Sequence, residues 1–329
     1  MPAPLTMSSP RGLVSRAWSL SPALTLGTGA MLLGLVASAI GLAVDPRQLV
    51  GEPVWLKPTK FYASLAIYDV TLLYLFHVLE SPERRLRPIG LILSLCGLQE
   101  LAVITIQAAR GMRSHFSVGT TLDRLLSASM GVTVVVLWVT MMVLAGVLMR
   151  ARLRDGVLAS ALRLGVMVSV VGMGLAFFMS VPHGAQRTEL AAGRALSEQG
   201  GHSFGGEDGG PGLPGVGWST TVGDMRPAHF FGIHALQGLP LLSALLGRTR
   251  RSEWANRAIV RAAGVAWLGL TLVLGMQALR GQPVIHWDAV GLMGLGTVLL
   301  MSLATLAAHR APRAQLVGAE GLGGAPRLE

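Results

Sequence analysis

The 329-residue chain is 51% hydrophobic and 13% charged, with a mean hydropathy of +0.56 and a formal net charge of +10. Such a composition excludes an ordinary soluble globular domain. The basic residues lie between apolar runs rather than along an amphipathic face, so the positive charge points to a membrane and not to nucleic acid.

Residues 1–19 are polar and place Arg11 and Arg16 ahead of the first apolar run, 22–44. That run is long and lacks a convincing cleavage motif, so it reads as a retained helix preceded by a cytoplasmic tail. Further apolar runs fall at 61–79, 89–108, 125–149, 157–181, 229–247, 259–278 and 288–308. Each approaches the roughly 20 residues needed to cross a hydrocarbon core of about 30 Å. The expectation is an all-α membrane protein of eight transmembrane helices, with residues 311–329 as a flexible cytoplasmic tail. Seventeen basic residues fall on the side shared by the two termini and ten on the other. The positive-inside rule then puts both termini in the cytoplasm, with the chain in a bacterial inner membrane. Cys96 is the single cysteine, so no intramolecular disulfide forms.

The long loop at 182–224 holds a glycine-rich stretch, Gly205-Gly206-Glu207-Asp208-Gly209-Gly210-Pro211-Gly212. No Gly-Lys-Ser/Thr follows it, so it is read as a flexible outer linker and not as a phosphate loop.

Two motifs recur at nearly one offset. Leu56–Asp69 aligns without a gap on Met225–Gly238, setting Lys57 against Arg226, Pro58 against Pro227, Lys60 against His229 and Phe61 against Phe230. One helix later, Gln107-Ala108-Ala109-Arg110-Gly111 matches Gln277-Ala278-Leu279-Arg280-Gly281, and His115-Phe116 and His286-Trp287 follow. The pattern predicts two parallel four-helix repeats, 20–150 and 157–310, related by a pseudo-two-fold axis along the membrane normal. The competing explanation is generic interface chemistry: a basic residue, a proline in the first turn, then an aromatic anchor.

These repeated polar residues all fall at the outer ends of helices. The helices starting at Lys57 and Arg226 run inward, so their free N–H groups and positive dipole ends point outward and favour an anion. Lys57, Lys60, Arg110, Arg226 and Arg280 are therefore candidate binding residues for a carboxylate or phosphate group. The alternative is contact with lipid headgroups.

His229 and His234 lie on the second helix of the second unit, and His286 lies at the start of its fourth. His115 is the counterpart of His286 in the first unit. This layout remotely resembles the heme A synthase family, which also has two four-helix halves with paired outer histidines. The resemblance implies a haem, of b type here, held through His229 or His234 with His286, with His115 as the candidate in the first half. The departures are clear: Lys60 stands where His229 aligns, and the family's Glu-x-x-His-Arg pattern and loop cysteine pair are missing.

Within the apolar runs, Asp69 and Glu100 are the acids, and Gln107, Gln237 and Gln277 are further polar candidates. A carboxylate at the bilayer centre costs roughly 2.5–3.5 kcal/mol on insertion scales, so each is expected to face the bundle interior. No nucleophile elbow, Walker loop, zinc motif or dinucleotide fingerprint is present. Three readings stand at this point. The first is an outward polar pocket binding haem or another cofactor. The second is a proton-coupled transporter of a small anion using Asp69 or Glu100. The third is a non-catalytic assembly or sensory partner.

Overall fold

The computed structural model describes residues 10–79 and 83–308. The C-terminal tail expected at 311–329, and the first nine residues, lie outside the described residues. Where a polar tail was expected, Pro10–Leu20 forms a short helix, α1. It is anchored by Arg16 against the His77 ring at 3.2 Å, and by Arg87, which donates to the Ser19 carbonyl at 3.0 Å.

Eight helices among the described residues are long and apolar enough to cross a membrane. They are α2 (Pro22–Val44), α3 (Leu56–Leu79), α4 (Glu83–Ala109), α5 (Thr121–Arg150) and α6 (Gly156–Leu175), which tightens into a 3-10 turn at Ala176–Ser180. After the short α7 (Ala185–Ala191) come α8 (Arg226–Leu246), α9 (Glu253–Leu279) and α10 (Ala289–Ala308). The all-α, eight-span architecture thus stands as read from sequence. Several starts are earlier: α3 begins at Leu56 instead of 61, and α9 at Glu253 instead of 259. Hydropathy counts Lys57, Lys60, Glu253 and Arg257 against a span, yet each sits in a first turn whose side chains reach past the apolar core.

Local chemistry sets the ends. Ser21, Thr120, Asp155 and Ser252 cap α2, α5, α6 and α9 by accepting backbone N–H bonds. The C-termini of α4 and α9 close alike. Gly111 and Gly281 take φ of +68° and +75°, and Met112 N–H and Gln282 N–H reach back to the Gln107 and Gln277 carbonyls. That is the Schellman geometry, which calls for a left-handed residue after the cap.

The packing order is shared by the two halves. In the first, α2 packs on α3 and α4, α3 on α4, and α4 on α5. In the second, α6 packs on α8 and α9, α8 on α9, and α9 on α10. One buried cluster joins the halves: Leu72, Leu75 and Phe76 of α3 meet Met141, Leu144 and Leu148 of α5, Leu162 and Val166 of α6, and Leu236 of α8. The first helix of each half presents small residues to the second, as membrane helices do to let backbones approach. A side chain at Gly34 or Gly41 of α2 would strike Tyr62 or Trp55. Between α6 and α8 the contact is backbone to backbone, and a Cβ at Gly172 would lie 2.5 Å from the Gly232 Cα.

The loop at 182–224 is not the free linker its glycine content suggested. It contains α7 and a two-residue antiparallel pairing of β3 (Ser203–Phe204) with β4 (Gly223–Asp224), and Gln186 holds Gly200 through both its amide atoms. A second small hairpin, β1 (Gln48–Leu49) with β2 (Glu52–Pro53), lies between α2 and α3. Its turn puts Val50 at φ +54°, a strained conformation for a β-branched residue.

The close approach of α6 and α8 makes a clear prediction. Gly172→Leu should destabilise the detergent-purified protein by roughly 1–3 kcal/mol through overpacking. Gly174→Ala, whose Cβ would meet nothing nearer than Trp138 at 3.7 Å, should stay within about 0.5 kcal/mol. Thermal unfolding of the two variants side by side checks this.

Candidate functional site

The start of α3, the end of α4, the start of α8, the β1–β2 hairpin and the long loop meet at one end of the bundle. They enclose a cavity of about 360 Å³, within the range of small-ligand sites. Lys57, Arg113, His202, Asp208 and Arg226 are its charged and titratable walls, with Glu52 at the hairpin. Both Lys57 and Arg226 lie in the first turn of a helix whose N-terminus faces this end.

Most of the cations here are neutralised by carboxylates. Arg226 holds Asp224 through Nε at 3.0 Å and Nη2 at 2.6 Å. Arg110 holds Asp123 at 2.7 Å and also reaches Gln107, whose Nε2 donates to Asp123 at 3.2 Å. Arg280 pairs with Asp288, the residue that accepts the Gly291 N–H at 2.9 Å. Lys60 lies 3.7 Å from Glu52. Arg113 bridges Glu198, at 2.6 Å, and Asp208.

Lys57 differs. Its Nζ lies 3.0 Å from His115 Nδ1, with the Phe61 ring at 5.7 Å. On the far side of the imidazole, His115 Nε2 lies 3.5 Å from Glu100 Oε2. Glu100 is buried, and its Oε1 has no hydrogen-bond partner. When Lys57 is an ammonium, which only donates, Nδ1 accepts and the imidazole proton is on Nε2, the nitrogen on the Glu100 side.

The loop closes the cavity through Asp208. Its carboxylate accepts the backbone N–H groups of His202 at 3.1 Å and Ser203 at 2.8 Å, besides the Arg113 guanidinium. Burial opposes this charge, but the bonds from His202 and the Arg113 cation outweigh it and hold Asp208 below the usual carboxylate range. Burial pushes His202 down to about 4 against the pull of Asp208. Burial, with Lys57, His202 and His229 nearby, pushes His115 well below the ordinary histidine range. Both imidazoles are neutral at pH 7.

The predicted residues thus separate into groups. Lys57, Arg226, His115 and Glu100 gather at or behind the cavity. His229 joins them from α8, its Nδ1–H donating to the Gly172 carbonyl at 2.9 Å. Lys60 and Arg110 stand at the same end in ion pairs of their own. His234 packs its ring against Phe230, with centroids 4.3 Å apart. His286 is exposed, its Nδ1 3.1 Å from Gln282 Oε1, so the histidines that share an environment are His115, His202 and His229. Gln277 secures the turn before α10 by donating to the carbonyls of Pro283 and His286. Asp69 is buried deeper, against Ser94 Oγ at 3.2 Å, and Gln237 reaches Thr71 across the halves at 3.4 Å. Among the described residues, no group of three or more His, Cys, Asp or Glu side chains is arranged to hold a metal ion.

His202 and Asp208 were not singled out in the sequence. Their partner, Arg113, is 95 residues from Asp208, and no local pattern links them. The chain matches no protein family, no curated protein and no solved structure.

The two neutral histidines set a pH dependence. Unfolded, each takes up a proton near pH 6.5. Below that pH the unfolded chain binds more protons than the fold, so stability falls as pH drops toward the folded value of about 4 for His202. Stability should fall between pH 7 and pH 5, by up to about 2 kcal/mol for His202, and the melting temperature should fall with it. His202→Gln should flatten the profile; thermal scans across this window check it.

Proposed function

We propose that this membrane protein binds a small anionic molecule, a carboxylate or phosphate compound, in the cavity at the ends of α3, α4 and α8. By the distribution of arginines, that end faces away from the cytoplasm. The observation that carries the reading is Lys57. Of the six basic residues Lys57, Lys60, Arg110, Arg113, Arg226 and Arg280, it alone is in contact with a neutral imidazole where the others hold carboxylates. Its ammonium form is thus left for a guest to pair with, and the helix N-terminus beside it adds N–H donors.

The same reading takes the two halves as copies of one unit. It is supported by the shared packing order and by the matching Schellman ends at Gly111 and Gly281. It also explains why Lys57 lacks an acid. Asp224, which neutralises Arg226, aligns with Trp55 in the first copy, so the aligned cations Lys57 and Arg226 line one cavity with only one of them paired. The Trp55 indole instead donates to Asp45 at 2.8 Å, where Arg47 is bound.

Calorimetric titration of the detergent-purified protein with inorganic phosphate and with succinate tests the proposal. Saturable binding of at least one is expected. Lys57→Met should weaken it tenfold or more, and Lys60→Met should change it less than threefold. Equal affinity in wild type and Lys57→Met would overturn the assignment.

A further inference from the structure

Lys57 Nζ and Glu100 Oε2 approach the two different nitrogens of the His115 ring, at 3.0 and 3.5 Å; Lys57 lines the cavity and Glu100 lies within the α4 span. Glu100 lies nine residues before the end of α4, roughly 13 Å along the helix at 1.5 Å per residue. Its Oε2 lies 3.5 Å from His115 Nε2, and its Oε1 has no hydrogen-bond partner among the described residues. We propose that Lys57, His115 and Glu100 form a proton relay that couples occupancy of the anion pocket to the protonation of Glu100. The proposal rests on the pocket reading above and adds proton coupling to it.

The step balances within the three residues. An N–H bond of the Lys57 ammonium breaks as an N–H bond forms at His115 Nδ1. The His115 Nε2–H bond breaks as an O–H bond forms on Glu100 Oε2. The products are a neutral amine, the other imidazole tautomer and a neutral carboxylic acid, with no proton gained or lost. With the pocket empty, this neutral state removes two charges from low-dielectric surroundings, where each is costly. An anion beside Lys57 favours the ammonium, so binding drives the proton back and leaves Glu100 ionised.

The groups around the relay are compatible with this direction. His115 is faced by Lys57 and Phe61 from α3, Glu100 from α4, Ser114 and Phe116 from its own segment, His202 from the loop and His229 from α8. Lys57 is faced by the cations Arg113 and Arg226 and the acids Glu100 and Asp208. Asp208 is committed to Arg113 and the His202 backbone, so Glu100 is the acceptor open to the chain. His115, held neutral, can pass a proton without storing one.

Infrared difference spectroscopy with inorganic phosphate, which has no carbonyl band of its own, tests the relay. Adding phosphate to the wild type should remove a protonated-carboxyl C=O band. Glu100→Gln should lack that band change while still binding phosphate, and His115→Gln should bind phosphate with the band unmoved. If the wild type binds phosphate with no carboxyl change, or if the change persists in Glu100→Gln, the relay is overturned and the pocket stands. If neither phosphate nor succinate binds, the pocket reading fails, and the relay is judged on carbon-13 methylated lysine signals. Glu100→Gln must then move the Lys57 signal and leave the Lys60 signal in place; an unmoved Lys57 signal overturns it.

Discussion

A charge carried to the edge of a bilayer has to be neutralised by something nearby, and this requirement organises the whole cavity end of the molecule. Asp45 with Arg47, Asp224 with Arg226, Asp123 with Arg110 and Asp288 with Arg280 are all short-range pairs built into helix ends and turns. Each exposed pair contributes little to stability. Together they consume the local positive charge, so that the one ammonium without a carboxylate contact defines the character of the cavity. In the gap-free alignment of the two motifs, Trp55 stands where Asp224 precedes Arg226.

Glycine supplies the second constraint. Because α6 and α8 touch through Gly172 and Gly232, the Gly172 carbonyl is close enough to accept the His229 Nδ1–H. Arg226, at the start of the same α8, lines the cavity together with Lys57 of α3. Above these helix ends the long loop is drawn down by Arg113, which ties Glu198 and Asp208 to the end of α4. A loop that is polar and glycine-rich in sequence becomes a wall of the cavity because one half-buried guanidinium binds two of its acids.

The eight spans were legible from sequence because crossing a bilayer demands about 20 apolar residues and leaves little freedom in reading them. Their first turns were less so, since Lys57 and Lys60, or Glu253 and Arg257, look like loop residues until a helix places them at its mouth. Lys57 and Arg226, which align in the sequence, both line the cavity. Glu100 was visible as an acid in a span, but its link to His115 was not, for the fourteen intervening residues include a helix end and a turn. His202 and Asp208 were hidden by the glycine-rich composition around them, and their bonds run to distant segments. The histidines drew attention for a different reason: the helix layout and the family resemblance it carries suggested a pair with His286, whereas the fold places His115, His202 and His229 near one another and His286 on an exposed turn.

Lys57 and Lys60 are the only lysines in the chain, which allows a direct test. The measurement is affinity labelling with pyridoxal phosphate, an anionic aldehyde, followed by borohydride reduction and mass-spectrometric mapping. Lys57 should be modified ahead of Lys60, and inorganic phosphate should protect it while leaving Lys60 unaffected. Labelling confined to Lys60, or labelling of Lys57 that phosphate does not slow, would contradict an anion site built around Lys57.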